Sequence, residues 1–90
     1  MNKFTVVWNQ EALDEITRHW IAADTDQRKA ILTAWHEVDA ILANEPTNVG
    51  ESRDLGRRVM FEYPLGVLFK AVEATNTVRL LQVWTFKKRK

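Results

Sequence analysis

Residues 50–58 read GESRDLGRR and carry Arg53, Arg57 and Arg58. A guanidinium presents its N–H donors in a flat fork that matches phosphate or carboxylate bidentately, so this density of arginine suits an anion. The same stretch holds Glu51 and Asp54, and Arg53 paired to either would make an ordinary solvated connector. Both readings stand at this point. Further cations follow: Lys70 interrupts the apolar run VLFKAV, Arg79 lies within TVRLLQVWTF, and the chain ends in KKRK from Lys87 through Lys88 and Arg89.

The charge is unevenly divided. Residues 1–50 carry four basic and eight acidic side chains, a balance of −4, whereas residues 51–90 carry nine basic and four acidic, a balance of +5. If the second half forms one face, that face attracts phosphate or an acidic partner, although the overall pI of about 8.1 is modest for a dedicated nucleic-acid binder. Other chemistries find little support. There is no cysteine, and His19 and His36 are too far apart to make a metal-ligand pattern, so no metal is expected. GVLFKAVE lacks the repeated glycines and Lys-Ser/Thr ending of a phosphate loop, and no cofactor is called for.

The elements that must position these cations can be read from apolar spacing. Ninety residues at 46% apolar composition make one core. Residues 1–86 are assigned to a single domain and 87–90 to a basic tail. KFTVVW alternates as a strand, and Asn9 offers a cap to a helix over about 10–23 with Leu13, Ile16, Trp20 and Ala23 on its inner face. Thr25 or Asp26 can cap a second helix striped with Ile31, Ala34, Trp35, Val38, Ile41 and Leu42, which should end near Asn44 because Pro46 disfavours helix at Glu45. PTNVGESRDLG then reads as a loop. RRVMFEY, GVLFKAVE and TVRLLQVWTF, separated by PLG and ATN, have the spacing of a three-stranded antiparallel meander. The fold class is therefore α+β in the order β-α-α-β-β-β, with two antiparallel helices packed on a four-stranded antiparallel sheet.

Strand parity refines the picture. Lys70 falls with Gly66, Leu68 and Val72, opposite Val67, Phe69 and Ala71, and Gln82, Trp84 and Phe86 share one side of the last strand. A tryptophan beside a lysine can stack a base and hold its phosphate, can contact a protein partner, or can belong to the core. Arg57 and Arg58 must point to opposite faces, and alternation groups Arg58 with Met60 and Glu62; Arg58 is taken as the one that lines the cleft. No apolar run reaches the length of a membrane span, and MNKFTVVWNQEALDE lacks a signal-peptide core and cleavage site, so a cytoplasmic protein without membrane contact is expected.

The order of elements, with GESRDLGRRVMFEYPLGVLFKAVE leading into TVRLLQVWTF, resembles the RelE/ParE superfamily of type II toxins, the plasmid-stabilisation proteins. The resemblance runs through essentially the whole chain and lies in order and spacing: arginines entering the second strand, GVLFKAVE in place of an R-L-V-Y-x-V strand, and a last strand ending in basic residues. It implies a small toxin neutralised by a cognate antitoxin segment that wraps it; an open sheet edge and a groove between helices and sheet would take that segment by strand addition or as an amphipathic helix, and the −4/+5 asymmetry predicts that it is acidic where it faces the strands. RelE-like members cut mRNA on the ribosome. ParE-like members act on DNA gyrase and are not nucleases, and a degenerate relative would retain only antitoxin binding.

The favoured expectation is a ribosome-dependent mRNA endonuclease, a possible mRNA interferase. Such cleavage needs a 2′-hydroxyl activated, charge on the phosphorane stabilised and the leaving 5′-oxygen protonated. The resemblance assigns charge stabilisation to Arg57, Arg58, Lys70 and Arg79 and leaves Glu62 and Lys87 as candidates for proton transfer. RNA contacts are expected from Arg53, Arg57, Arg58, Trp84, Lys87, Lys88 and Arg89. The sequence departs from the active relatives at Gly66, where they carry arginine, and near Phe86 and Lys87, where they carry His and Tyr.

Overall fold

The computed structural model describes residues 3–87. Strand β1 (Thr5–Trp8) leads through helix α1 (Gln10–Ala22) and helix α2 (Thr25–Asn44) to a short strand β2 (Glu51–Ser52), and then to β3 (Arg57–Glu62), β4 (Leu65–Val72) and β5 (Thr77–Thr85). The class is the expected α+β, with the helix pair against a sheet. The sheet itself is five-stranded and mixed, in the order β1-β5-β4-β3-β2, where a four-stranded antiparallel sheet is expected from sequence. Two features account for the difference. β1 pairs parallel to β5, Thr5 opposite Thr77 through Trp8 opposite Leu80, and β2 adds an antiparallel edge to β3 within the segment expected to be loop.

Local chemistry explains the helix boundaries. Asn9 stands at the N-cap of α1, but its backbone carbonyl accepts from Leu13 and its side chain makes no capping bond. Asp24, rather than Thr25 or Asp26, caps α2: its carboxylate accepts from the Gln27 backbone N–H at 2.8 Å while the Gln27 side chain accepts from the Asp24 N–H at 2.9 Å. This reciprocal box satisfies two donors that a helix start leaves unpaired. α2 ends at Asn44, where expected.

Ala12 and Ile16 from α1 and Ile31, Ala34, Val38 and Leu42 from α2 meet Met60, Leu65, Val67, Phe69, Val78, Leu80 and Val83 from the sheet in one core. Trp35 packs at its margin on Trp8, ring centroids 4.8 Å apart, and the Trp8 indole N–H donates to Asp39 at 2.9 Å. Burying one face of the sheet this way leaves the other to solvent, as antiparallel sheets allow. Among the described residues, no helix is long and apolar enough to cross a membrane.

Candidate functional site

β4 alternates as its sequence predicts: Leu65, Val67 and Phe69 enter the core, while Lys70 is exposed on the outer face. Register then extends that position sideways. Arg57 on β3 stands opposite Lys70, and Lys70 stands opposite Arg79 on β5. With neighbouring strands about 4.8 Å apart, these cations form a row roughly 10 Å across. A β-bulge makes the row possible: Leu68 pairs with Gln82 but Phe69 pairs with Leu80, so Leu81 is an extra residue. The insertion lets Arg79 and Gln82 share the outer face, which simple alternation forbids.

The cations of the row stand outside the ion pairs formed among the described residues. The Arg57 Nε–H donates to the Asp54 carbonyl oxygen at 3.1 Å. No carboxylate pairs with Arg57, Lys70 or Arg79 among the described residues, whose ion pairs are Arg18 with Glu15 and Arg53 with Glu51. Next to the row opens a cleft of about 620 Å³ lined by Ser52, Arg53, Asp54, Arg57, Val59, Leu68, Gln82 and Trp84. Val59 and Leu68 are the aliphatic part of its lining, and Arg57 and Trp84 line it with them.

The arm over the cleft is built by glycine geometry. Gly50 has φ +71°, and a side chain there would run into the Val59 carbonyl, so the chain can fold β2 back onto β3 only with glycine at this position. The turn continues through Leu55 at φ 63° to Gly56 at φ 75°. Arg53 lies on this arm in the ion pair that its sequence neighbours allow, 3.1 Å from Glu51, and also donates to the Ser52 carbonyl. It is a cleft-lining residue with its charge already partnered.

Arg58 is a correction. It shares a face with Met60 as alternation requires, but Met60 belongs to the core, so this is the helix-side face. The Arg58 guanidinium donates to the carbonyl oxygens of Val49 at 2.8 Å and Gly50 at 3.1 Å, pinning the start of the arm. Arg57, not Arg58, lines the cleft. Glu62 lies at the far end of β3 opposite Leu65, again on the Met60 side. Lys87 belongs to a separate hollow between the helix pair and the β3–β4 turn, together with His19, Gln27, Tyr63 and Phe86. Neither Glu62 nor Lys87 is brought to the cationic row. Lys88 and Arg89 fall outside the described residues.

Trp84 is half-buried on the outer face, as its parity with Gln82 indicates, and its indole lies across its register partner Gly66. Phe61 meets it edge-on at 6.1 Å and also meets Phe86 at 5.5 Å. The outer face thus runs from cations at one end to aromatics at the other. Ser52 and Asp54 carry no pattern in the sequence that marks them as cleft residues; the glycines at 50 and 56, which bracket a turn able to fold over the sheet, are the available signal. No group of His, Cys, Asp and Glu among the described residues could hold a metal ion.

No family model matches the sequence, and no curated protein does. Solved structures do match the fold. A chain of the toxin–antitoxin complex RelBE2 from Mycobacterium tuberculosis superposes with a TM-score of 0.76 at 19% identity, covering 96% of this chain and 94% of that one. A chain of the chromosomal ParDE system of P. aeruginosa gives 0.71 at 14% identity, covering 97% and 100%. The isolated RelE toxin of E. coli gives 0.63 at 9% identity, covering 97% and 88%. Whole-length agreement with both RelE and ParE structures, two helices on one face of a sheet and a meander presenting the other, shows that this chain has the RelE/ParE toxin fold.

Proposed function

We propose that this chain is the toxin of a type II toxin–antitoxin pair and that it cleaves mRNA on the ribosome, gripping the phosphate backbone on the outer face of its sheet. The observation that carries the proposal is the row of Arg57, Lys70 and Arg79, held in register across three strands with no carboxylate partner among the described residues. Like charges placed directly opposite one another destabilise a sheet, so the arrangement makes physical sense when an anion completes it. That the RelE and ParDE structures share the fold and come from toxin–antitoxin systems supports the toxin part of this reading.

The chemistry follows from the side-chain types. A guanidinium does not release a proton in proteins, so within the row only Lys70 can protonate the leaving 5′-oxygen. Arg57 and Arg79 stabilise charge on the phosphorane. The 2′-oxygen forms the new P–O bond, its proton passing to water or to the Asp54 carboxylate in the cleft, and the products are a 2′,3′-cyclic phosphate and a 5′-hydroxyl. The antitoxin covers the row with an acidic segment.

A second reading, a gyrase-directed or purely antitoxin-binding member, is favoured by one observation: Glu62 and Lys87 lie away from the cleft, and Gly66 and Phe86 supply no proton-transferring group. Inducible expression in a bacterium, with mRNA 5′-ends and plasmid supercoiling followed in the same cells, separates the two. Cuts within translated codons that disappear in Lys70→Gln support the nuclease. Altered supercoiling without codon-linked cuts supports the alternative, and co-purification of an acidic neighbouring gene product tests the toxin–antitoxin assignment common to both.

A further inference from the structure

Gly66 and Trp84 are register partners on β4 and β5, and the indole is laid over the glycine so closely that a Cβ at position 66 would run into Cε2 and Nε1 of the ring. Phe61 braces the ring from the β3 side, edge-on with an interplanar angle of 78°. The indole therefore has a fixed place in the lining of the cleft that Arg57 also lines. Gln82 lines the same cleft and is exposed. Its amide offers both a donor and an acceptor. An aromatic ring, an amide and the Arg57 end of the cationic row line one cleft, and together they match the parts of a nucleotide.

We propose that Trp84, seated over Gly66, is a stacking platform for one unpaired base of the strand whose phosphates lie on the Arg57–Lys70–Arg79 row, with Gln82 at the edge of that base. The inference rests on the RNA reading above for the phosphates and adds that the target is recognised by an exposed base as well as by its charge. Gly66 lies four residues along β4 from Lys70, roughly 13 Å. The base on the indole and the phosphates on the row therefore belong to one short stretch of a single strand. A base already stacked within a duplex presents no free face to the ring, so the site selects unpaired RNA. Stacking tolerates any base because every base has a π-face, and discrimination among bases falls to the Gln82 amide. A docked protein segment is the less favoured occupant, since Ser52, Arg53, Asp54, Arg57 and Gln82 make most of the lining polar.

The test compares two fluorescently labelled 2′-O-methyl pentanucleotides, which cannot be cleaved through the 2′-oxygen, identical except that one carries an abasic central residue. The full-length protein should bind the complete oligonucleotide at least about five-fold more tightly than the abasic one. Trp84→Phe should retain most of that difference. Trp84→Ala should erase it, and so should Gly66→Ala, which keeps the indole but lifts it off the sheet, with melting curves confirming that each variant is folded. Equal affinity of the unmodified protein for the two oligonucleotides overturns the platform while the phosphate row stands: the ring then only fills the space above a glycine. Binding of neither overturns the platform and the RNA reading together. Because both of these outcomes are measured on the unmodified protein, they hold even if a variant fails to fold.

Discussion

Lys70 of β4 and Arg57 of β3 are register partners in an antiparallel pair, and neither has a carboxylate partner among the described residues. Arg79 repeats the relationship on the other side of Lys70. Directly opposed like charges cost a sheet roughly 0.2–1 kcal/mol, a cost that salt screens. Lys70→Gln should therefore raise stability at low salt by about that amount, which in a domain of this size is on the order of a few degrees in Tm. The same substitution should abolish RNA cleavage. Thermal melts at low and high salt check it: the gain should shrink as salt rises. A Lys70→Gln protein that melts lower at both concentrations would show that the lysine is a structural part of the sheet.

The two adjacent arginines should separate cleanly by assay. The Arg57 side chain makes one hydrogen bond within the protein, so Arg57→Gln should leave stability within about 0.5 kcal/mol while weakening single-stranded RNA binding and flattening its salt dependence by about 0.7 log units per log salt. Arg58 holds two carbonyls on the other face, so Arg58→Gln should cost on the order of 1 kcal/mol with RNA affinity unchanged. Titration at several salt concentrations, together with melting, distinguishes them. The reverse pattern would place the cleft on the wrong side of the sheet.

These assignments also mark where the sequence could be read and where it could not. The face of Lys70 follows from VLFKAV because Val67 and Phe69 frame it with apolar neighbours of opposite parity. RRVMFE offers no such guide: Val59, Met60 and Phe61 are consecutive apolar residues, Val59 is buried beneath the arm and Phe61 is 57% exposed on the same outer side, so alternation fixes the pairing of faces without saying which face is core. Arg79 is hidden by the bulge at Leu81, since parity counted from Gln82 or Trp84 puts it on the core side. β2 is two exposed residues with no periodicity at all, and its existence depends on Gly50 and on a strand further along the chain. The helices were legible because their stripes are local. The neighbours of β1 were not, because parallel pairing with β5 joins residues some seventy positions apart.

Trp35 offers a test of the helix–sheet packing. It is partly buried on α2 against Trp8, so Trp35→Ala should destabilise the domain by about 3 kcal/mol, at the low end for tryptophan truncation because the ring is not fully enclosed. Trp8→Phe keeps an aromatic ring in that position but removes both the indole N–H that Asp39 accepts and part of the ring packed on Trp35, which should cost at least about 1 kcal/mol. Denaturant unfolding measures both. A loss below about 0.5 kcal/mol for Trp35→Ala would mean that this edge of α2 does not contribute to the core.

Gly50 and Gly56 bracket the arm over the cleft, and both have positive φ, yet substitution should not affect them equally. Alanine at either position incurs a left-handed backbone penalty of about 1–2 kcal/mol. At Gly56 little else happens, because a Cβ there meets only the flexible end of Lys70 at 3.6 Å. At Gly50 the added carbon runs into the Val59 carbonyl, a backbone group that cannot move without breaking the pairing of Glu51 with Val59, and the shift would also disturb the Gly50 carbonyl that Arg58 holds. Gly50→Ala should therefore cost more than Gly56→Ala by at least about 1 kcal/mol and should loosen the arm that carries Ser52, Arg53 and Asp54 into the cleft. Hydrogen exchange gives a second readout: the β2–β3 amides should lose protection in Gly50→Ala and keep it in Gly56→Ala. Equal stability losses with unchanged exchange in both variants would show that β2 is not pinned to β3, and the cleft would then lack its arm.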